Sequence, residues 1–297
     1  MAGLNRQGLV SERAGRLGEV LEGLYEKYNR AELIPPDPLQ FVYRYTEPAD
    51  MEIVAFLSAD LAYGRVQQIE KSLTALFAVM DSSPSAFVRD FTAARRKGLR
   101  AFKHRFTTGD DISDLLALLR RVLLEYGSIE QFFLRGYDPT DTNIIPALTR
   151  FCGTLSEMYA AEHNGKVSRG LQYLLASPER HSPCKRLNLF LRWMVRDDKV
   201  DAGLWKSIDK AKLIVPLDVH MGRLCRILAL YSRKTPSLAA ATKITESFLE
   251  INPKDPVKYD FALSRIGILE DCTGRRRSRC EVCELLEYCR RRSDWKK

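Results

Sequence analysis

The chain has 297 residues, and its 47 Lys and Arg against 38 Asp and Glu give a formal charge of +9. That length suits one large domain or two ordinary ones. An apolar share of 45% supplies a buried core and excludes global disorder. The apolar runs are too short and too often broken by charge to cross a bilayer. Met1 to Arg16 contain no apolar run of signal-peptide type, so a cytoplasmic location is expected. The positive excess points to an anionic partner, most often nucleic acid.

In chain order, apolar residues recur at helical spacing over Leu17–Tyr28, Ile53–Tyr63, Ile69–Met80 and Ile112–Tyr126. The same period continues over Ile145–Tyr159, Leu187–Val195, Leu224–Tyr231, Ile244–Ile251 and Tyr259–Leu269. Pro35, Pro36 and Pro38 punctuate a linker near 33–48, and the polar stretch His163–Arg169 reads as a loop. Gly64 and Gly127 stand where helices stop. Ser128 with Gln131 forms a capping box. Ser182-Pro183 and Asp255-Pro256 each place a capping side chain before a proline at the first helical position. No alternating strand of useful length stands out. The expected fold is all-α, with roughly a dozen helices.

Four segments carry chemistry. The helix expected after Ser182 has a core face of Leu187, Phe190, Leu191 and Met194. A second, largely basic face holds Lys185, Leu189, Arg192 and Arg196. Lys185 falls in the first turn, where the positive end of the helix dipole and neighbouring Arg186 disfavour its ammonium form. A nucleophilic lysine needs that, although an ordinary solvated lysine fits the same pattern. Further on, Ile214–Leu228 reads as a buried turn followed by a helix, with Asp218 near the helix start. Asp218 alone could be a plain cap. Cys184 and Cys225 read as buried thiols, and His220 has no assigned role.

Cys272, Cys280, Cys283 and Cys289 form the pattern C-x7-C-x2-C-x5-C. Four thiolates on a short, turn-rich segment can wrap a [4Fe–4S] cluster or a tetrahedral zinc, and spacing alone does not choose. The segment Cys272–Lys297 carries nine Lys/Arg against four acids, and Arg275, Arg276 and Arg277 could clamp phosphates. Residues 185–226 hold ten Lys/Arg against five Asp, so positive charge concentrates in these two stretches. The fourth segment, Phe102-Lys103-His104-Arg105-Phe106, interleaves aromatic and basic residues as nucleic-acid surfaces do; a plain surface loop is the alternative.

The order of Lys185, then Leu217-Asp218-Val219-His220, then the four-cysteine knot resembles the helix-hairpin-helix DNA glycosylases, the endonuclease III relatives. Arg223 and Leu224 continue the aspartate motif in the family manner. The likeness runs over about 182–289. The knot has one residue more in its first step than the family's six, two and five. The family's Leu-Pro-Gly-Val-Gly-x-Lys hairpin is absent, and the 33-residue step from Lys185 to Asp218 is long. Both features are similar to the archaeal 8-oxoguanine DNA glycosylase branch. The Ser182–Arg196 stretch also looks like a related bacterial family of uncharacterised proteins.

The resemblance implies two helical lobes: a central one over 46–195, and a discontinuous one from 1–45 with 196–297 that ends in the cluster loop at 272–289. It implies a DNA glycosylase with AP-lyase activity in base excision repair. The partner would be double-stranded DNA carrying a damaged base, 8-oxoguanine first among candidates. The protein would be a nucleoid-associated monomer. Lys185 and Asp218 would be catalytic, and the four cysteines would hold a [4Fe–4S] cluster, with zinc the alternative. Arg186, Arg192, Arg223, Arg226, Arg275, Arg276 and Arg277 would contact DNA. Trp193 could stack on the base or be a core aromatic, and Tyr63 and Arg65 could line the base pocket or form a plain helix–helix turn ended by Gly64. Two other readings compete: a non-catalytic DNA-binding protein that kept the fold, and a zinc-containing RNA-binding module.

Overall fold

A computed structural model describes residues 2–232, 235–270 and 272–291, with side chains described from residue 14 onward. The fold is all-α, as the periodicity implies. The helices are α1 (Ala2–Tyr28), α2 (Pro48–Asp60), α3 (Val66–Met80), α4 (Pro84–Arg89) and α5 (Ala93–Gly98). A short hairpin of β1 (Lys103–His104) and β2 (Thr107–Thr108) precedes α6 (Gly109–Tyr126), α7 (Ile129–Leu134), α8 (Ile145–Glu162) and α9 (Arg169–Leu174). The chain continues through α10 (Lys185–Val195), α11 (Val219–Ile227), α12 (Leu238–Leu249) and α13 (Asp260–Ile268). The strands are two residues each, too short for a period-two pattern to reveal.

Ser128 and Asp218 cap helix starts as the sequence implies. Ser128 Oγ accepts from Gln131 N at 3.1 Å and opens α7. Gly127 ends α6 with φ +87°, a conformation that favours glycine. Two expected starts shift. Asp255 does not cap a helix, because both its oxygens accept from Arg196 Nε at 3.1 Å, and α13 begins at Asp260. Ser182 Oγ accepts from Cys184 N, and Cys184 itself takes a left-handed conformation, so α10 begins at Lys185. The stretch around 33–48 is not a loose linker. Asp37 caps a 3-10 helix, Pro38–Arg44, that buries Leu39, Phe41 and Val42.

One apolar core runs from Leu17 to Tyr288. α2 packs on α10 through Phe56 and Phe190, whose ring centroids lie 5.1 Å apart. Phe190 also meets Trp205 edge-on, and Trp205 Nε1 donates to buried Glu52 at 2.9 Å. Glu52 receives the Ile129 and Glu130 amides as well, so one carboxylate fixes the start of α7. α1 packs against α13, and α13 against α11.

The two arginines of the expected basic face are internal. Arg192 is 2% exposed; it donates from Nε to Asp201 at 3.1 Å and from Nη1 to Asp260. Arg196 pairs with Asp198, Asp201 and Asp255. This network ties α10 to the 197–202 turn and to α13. Arg192 is therefore no phosphate contact. The basic period of α10 marks a side buried against carboxylates, which sequence cannot distinguish from a solvated face. Trp193 is fully buried and offers no ring to a base. Among the described residues no helix is long and apolar enough to cross a membrane.

Candidate active site

The Lys185 helix starts from an unusual turn. His181 and Cys184 both hold left-handed backbone, at φ 56° and 47°. The Cys184 thiol donates to the Ala176 and Ser182 carbonyls, which anchors the turn beneath the helix start. Cys184 is buried, and burial pushes its thiol up to about 11, away from reactive thiolate. This matches its reading as a structural thiol, as does the full burial of Cys225.

Asp218 arrives by a different route. Leu213, Ile214, Val215 and Leu217 are buried, and Val215 N donates to Thr245 Oγ1 of α12 at 3.0 Å. The chain then opens α11, with Asp218 Oδ1 accepting from Met221 N at 2.8 Å. That cap leaves Oδ2 directed at Lys185 Nζ, 4.0 Å away. Two residues 33 apart in sequence thus share one half-exposed place. Lys185 Nζ also donates to the Ala62 carbonyl at 3.1 Å, which ties it to the loop between α2 and α3. The pair can present the lysine nitrogen and the carboxylate to one substrate atom.

An open cleft of about 820 Å³ adjoins the lysine, with Tyr63, Gln172, Tyr173, Pro183 and Arg186 among its walls. Arg186 is mostly sheltered. Its Nη1 donates to the Asp60 carbonyl at 2.7 Å, its Nη2 to the Tyr173 carbonyl, and its guanidinium lies 4.4 Å from the Tyr173 ring centroid. Arg186 therefore builds the cleft wall with both terminal nitrogens engaged by backbone carbonyls. Arg186 Nη1 lies 3.2 Å from Asp60 Oδ1, yet no aligned hydrogen bond reaches either carboxylate oxygen. Full burial raises Asp60 to about 7, and the nearby guanidinium only partly offsets this. Asp60 and Tyr173 carry no motif, and the sequence offered no signal for either.

Tyr63 lines the cleft. Its hydroxyl donates to the His104 carbonyl and bonds Thr107 Oγ1 at 2.6 Å. Arg65 is exposed just before α3. Arg223 Nη2 bonds His220 Nδ1 at 2.9 Å and the Cys272 carbonyl at 2.8 Å, joining α11 to the cysteine segment. Arg226 sits in the last turn of α11, beside an apolar recess lined by Leu217 and Tyr231. Arg275, Arg276 and Arg277 are exposed.

Cys272, Cys280, Cys283 and Cys289 line one cavity of about 440 Å³, together with Leu224, Ile227, Ile266 and Leu285. Among the described residues no three His, Cys, Asp or Glu side chains stand in metal-holding geometry. Donor type, donor number and the apolar walls nevertheless fit a group held by four thiolates. A second cavity on the same segment is walled by Lys27, Glu270, Arg275, Arg277 and Arg279.

These features define an all-α protein with a lysine–aspartate pair at the rim of a cleft. The chain belongs to a family described as a protein of unknown function (DUF2400), whose model matches residues 37–269. That range holds Lys185, Asp218 and the cleft, and it stops before the first cysteine of the knot. No curated protein and no solved structure matches the chain.

Proposed function

We propose that the protein is a DNA glycosylase with AP-lyase activity, acting in base excision repair on double-stranded DNA that carries a damaged base. One observation carries the reading: Lys185 Nζ lies 4.0 Å from Asp218 Oδ2 beside an open cleft. The left-handed His181 stands four residues before the lysine, where the resembled hairpin motif has its first glycine. That gives support for a hairpin of the glycosylase kind built without glycine. The packing of α1 on α13 agrees with a discontinuous lobe of 1–45 and 196–297 around a central lobe of 46–195.

In the reaction, the target nucleotide is extruded so that its C1′ meets the pair. The Lys185 amine forms a bond to C1′ as the C1′–base bond breaks, and the electron pair leaves with the base. Asp218 offsets the positive charge that develops on the sugar. Loss of the amine proton and opening of the sugar ring give an imine. Removal of a C2′ proton then expels the 3′ phosphate and nicks the strand. Lysine suits this chemistry because its amine can be a free nucleophile at neutral pH, which a guanidinium cannot.

Cys272, Cys280, Cys283 and Cys289 would hold a [4Fe–4S] cluster, with zinc the alternative. When bound, the group supplies a rigid scaffold for the basic loop and takes no part in bond breaking. Arg275, Arg276 and Arg277 then face DNA phosphates, and Arg223 braces α11 against that loop. 8-Oxoguanine is the first base to test, and the working location is the nucleoid. The test is base release from duplexes bearing single oxidised or deaminated bases. Wild type should release one of them, and Asp218→Asn should lower the rate by at least about a hundredfold. Salt-dependent DNA binding without release of any base would favour the non-catalytic reading.

A further inference from the structure

The β1–β2 hairpin places Phe106 at its tip, 57% exposed, although the ring is large and apolar. Phe106 stacks on Tyr63, with centroids 5.3 Å apart and planes 21° apart, and it meets Tyr173 edge-on at 4.7 Å. Tyr63 and Tyr173 meet edge-on at 5.2 Å, so three rings from three separate segments form one cluster. The cluster is braced. His104 is buried, bonds Ser72 Oγ and the Tyr63 carbonyl through its two ring nitrogens, and so clamps the hairpin to α3 and the Tyr63 loop. Tyr63 follows Ala62, whose carbonyl accepts from Lys185 Nζ. The exposed ring is therefore fixed to the same loop as the lysine.

The surroundings select the ligand class. Arg186 already lies over Tyr173 and Tyr63, and Arg105 lies 5.6 Å from the Phe106 centroid. Lys103 and Arg65 are exposed nearby in sequence. A cationic guest is repelled by these guanidiniums. A flat neutral ring carried on an anionic backbone satisfies both the rings and the charges.

We propose that Phe106, backed by Tyr63 and Tyr173, is a stacking platform for one unpaired nucleobase of a DNA strand beside the lysine cleft. This rests on the DNA reading above, but it needs neither Lys185 chemistry nor base release. Its test uses the full chain and two fluorescent strands of equal length. One is a single-stranded oligodeoxynucleotide; in the other every base is missing and only sugar-phosphate remains. At equal salt the wild type should bind the base-bearing strand about tenfold more tightly. Phe106→Ala should lose that preference while keeping its affinity for the baseless strand. Its melting temperature should fall by only about a few degrees, because the half-exposed ring gives up its contacts with Tyr63 and Tyr173 alone. Phe106→Trp should keep the preference, with its tryptophan emission quenched on binding. Equal binding of both strands by wild type, or a preference that survives Phe106→Ala, overturns the platform and leaves the glycosylase reading to its own test. Binding of neither strand likewise overturns the platform, and the glycosylase reading, which concerns duplex DNA, is decided by base release from duplexes.

Discussion

Arg192→Met tests whether the two arginines of α10 hold the site together from inside. The guanidinium serves Asp201 and Asp260, all three groups are buried, and α13, which carries Asp260, packs on the Asp218 helix. Methionine keeps most of the side-chain length and removes the charge. Asp260 loses its ion pair and Asp201 keeps only Arg196. Stripping one partner from a buried pair costs roughly 3–5 kcal/mol. Against a total of about 5–15 kcal/mol, that is a large share. At roughly 2–4 °C for each kcal/mol, the melting temperature should fall on the order of 10 °C. Thermal and urea unfolding followed by circular dichroism measure it. The double variant Arg192→Met/Asp260→Leu should recover much of the loss, since it removes both charges. An unchanged midpoint in Arg192→Met would refute the reasoning. Together with a salt slope of DNA binding reduced by about one, it would return Arg192 to the phosphate contacts.

Other expectations follow from single groups. Asp60 has a folded-state value of about 7 against an ordinary 3.8, so the folded chain holds a proton that the unfolded chain releases in between. The stability this group contributes is complete below about pH 4 and is lost as the pH climbs through 7, a change of roughly 4 kcal/mol. Urea midpoints for Asp60→Asn across that range should therefore decline less steeply than those of wild type, and parallel curves would contradict this. Glu52→Gln replaces one acceptor oxygen with an amide donor among the donors of Ile129, Glu130 and Trp205, and unfolding should show a loss of about 2 kcal/mol. Gly109→Ala would set a Cβ 1.9 Å from the Leu99 carbonyl oxygen, which is backbone and cannot rotate away. Its cost should be roughly 2 kcal/mol, and a variant as stable as wild type would show that the 99–109 turn adjusts freely.

Sequence reading went furthest where one physical signal dominated. The 3.6-residue period delivered the all-α class. The buried turn at Leu213–Leu217 followed by a helix opened by Asp218 is as the residues imply, because an apolar run before a capping side chain has few other solutions. It failed where several signals compete. On α10 the whole run Leu187–Val195 is buried, so polar positions that look solvated face buried carboxylates instead. Asp255-Pro256 has the form of a helix start, but Arg196, distant in sequence, claims the carboxylate first. The cleft was only half legible. Tyr63 and Phe106 lie in segments whose composition drew notice, whereas Tyr173 and Asp60 gain meaning only when α9 and the end of α2 converge on Arg186.

Borohydride trapping tests the central claim most directly. Wild-type protein is incubated with duplexes that carry a single oxidised, deaminated or abasic site, and the products are resolved under denaturing conditions. The account predicts a covalent protein–DNA complex on at least one duplex, lost in Lys185→Ala while DNA binding persists. No complex on any duplex, or trapping undiminished in Lys185→Ala, would contradict it.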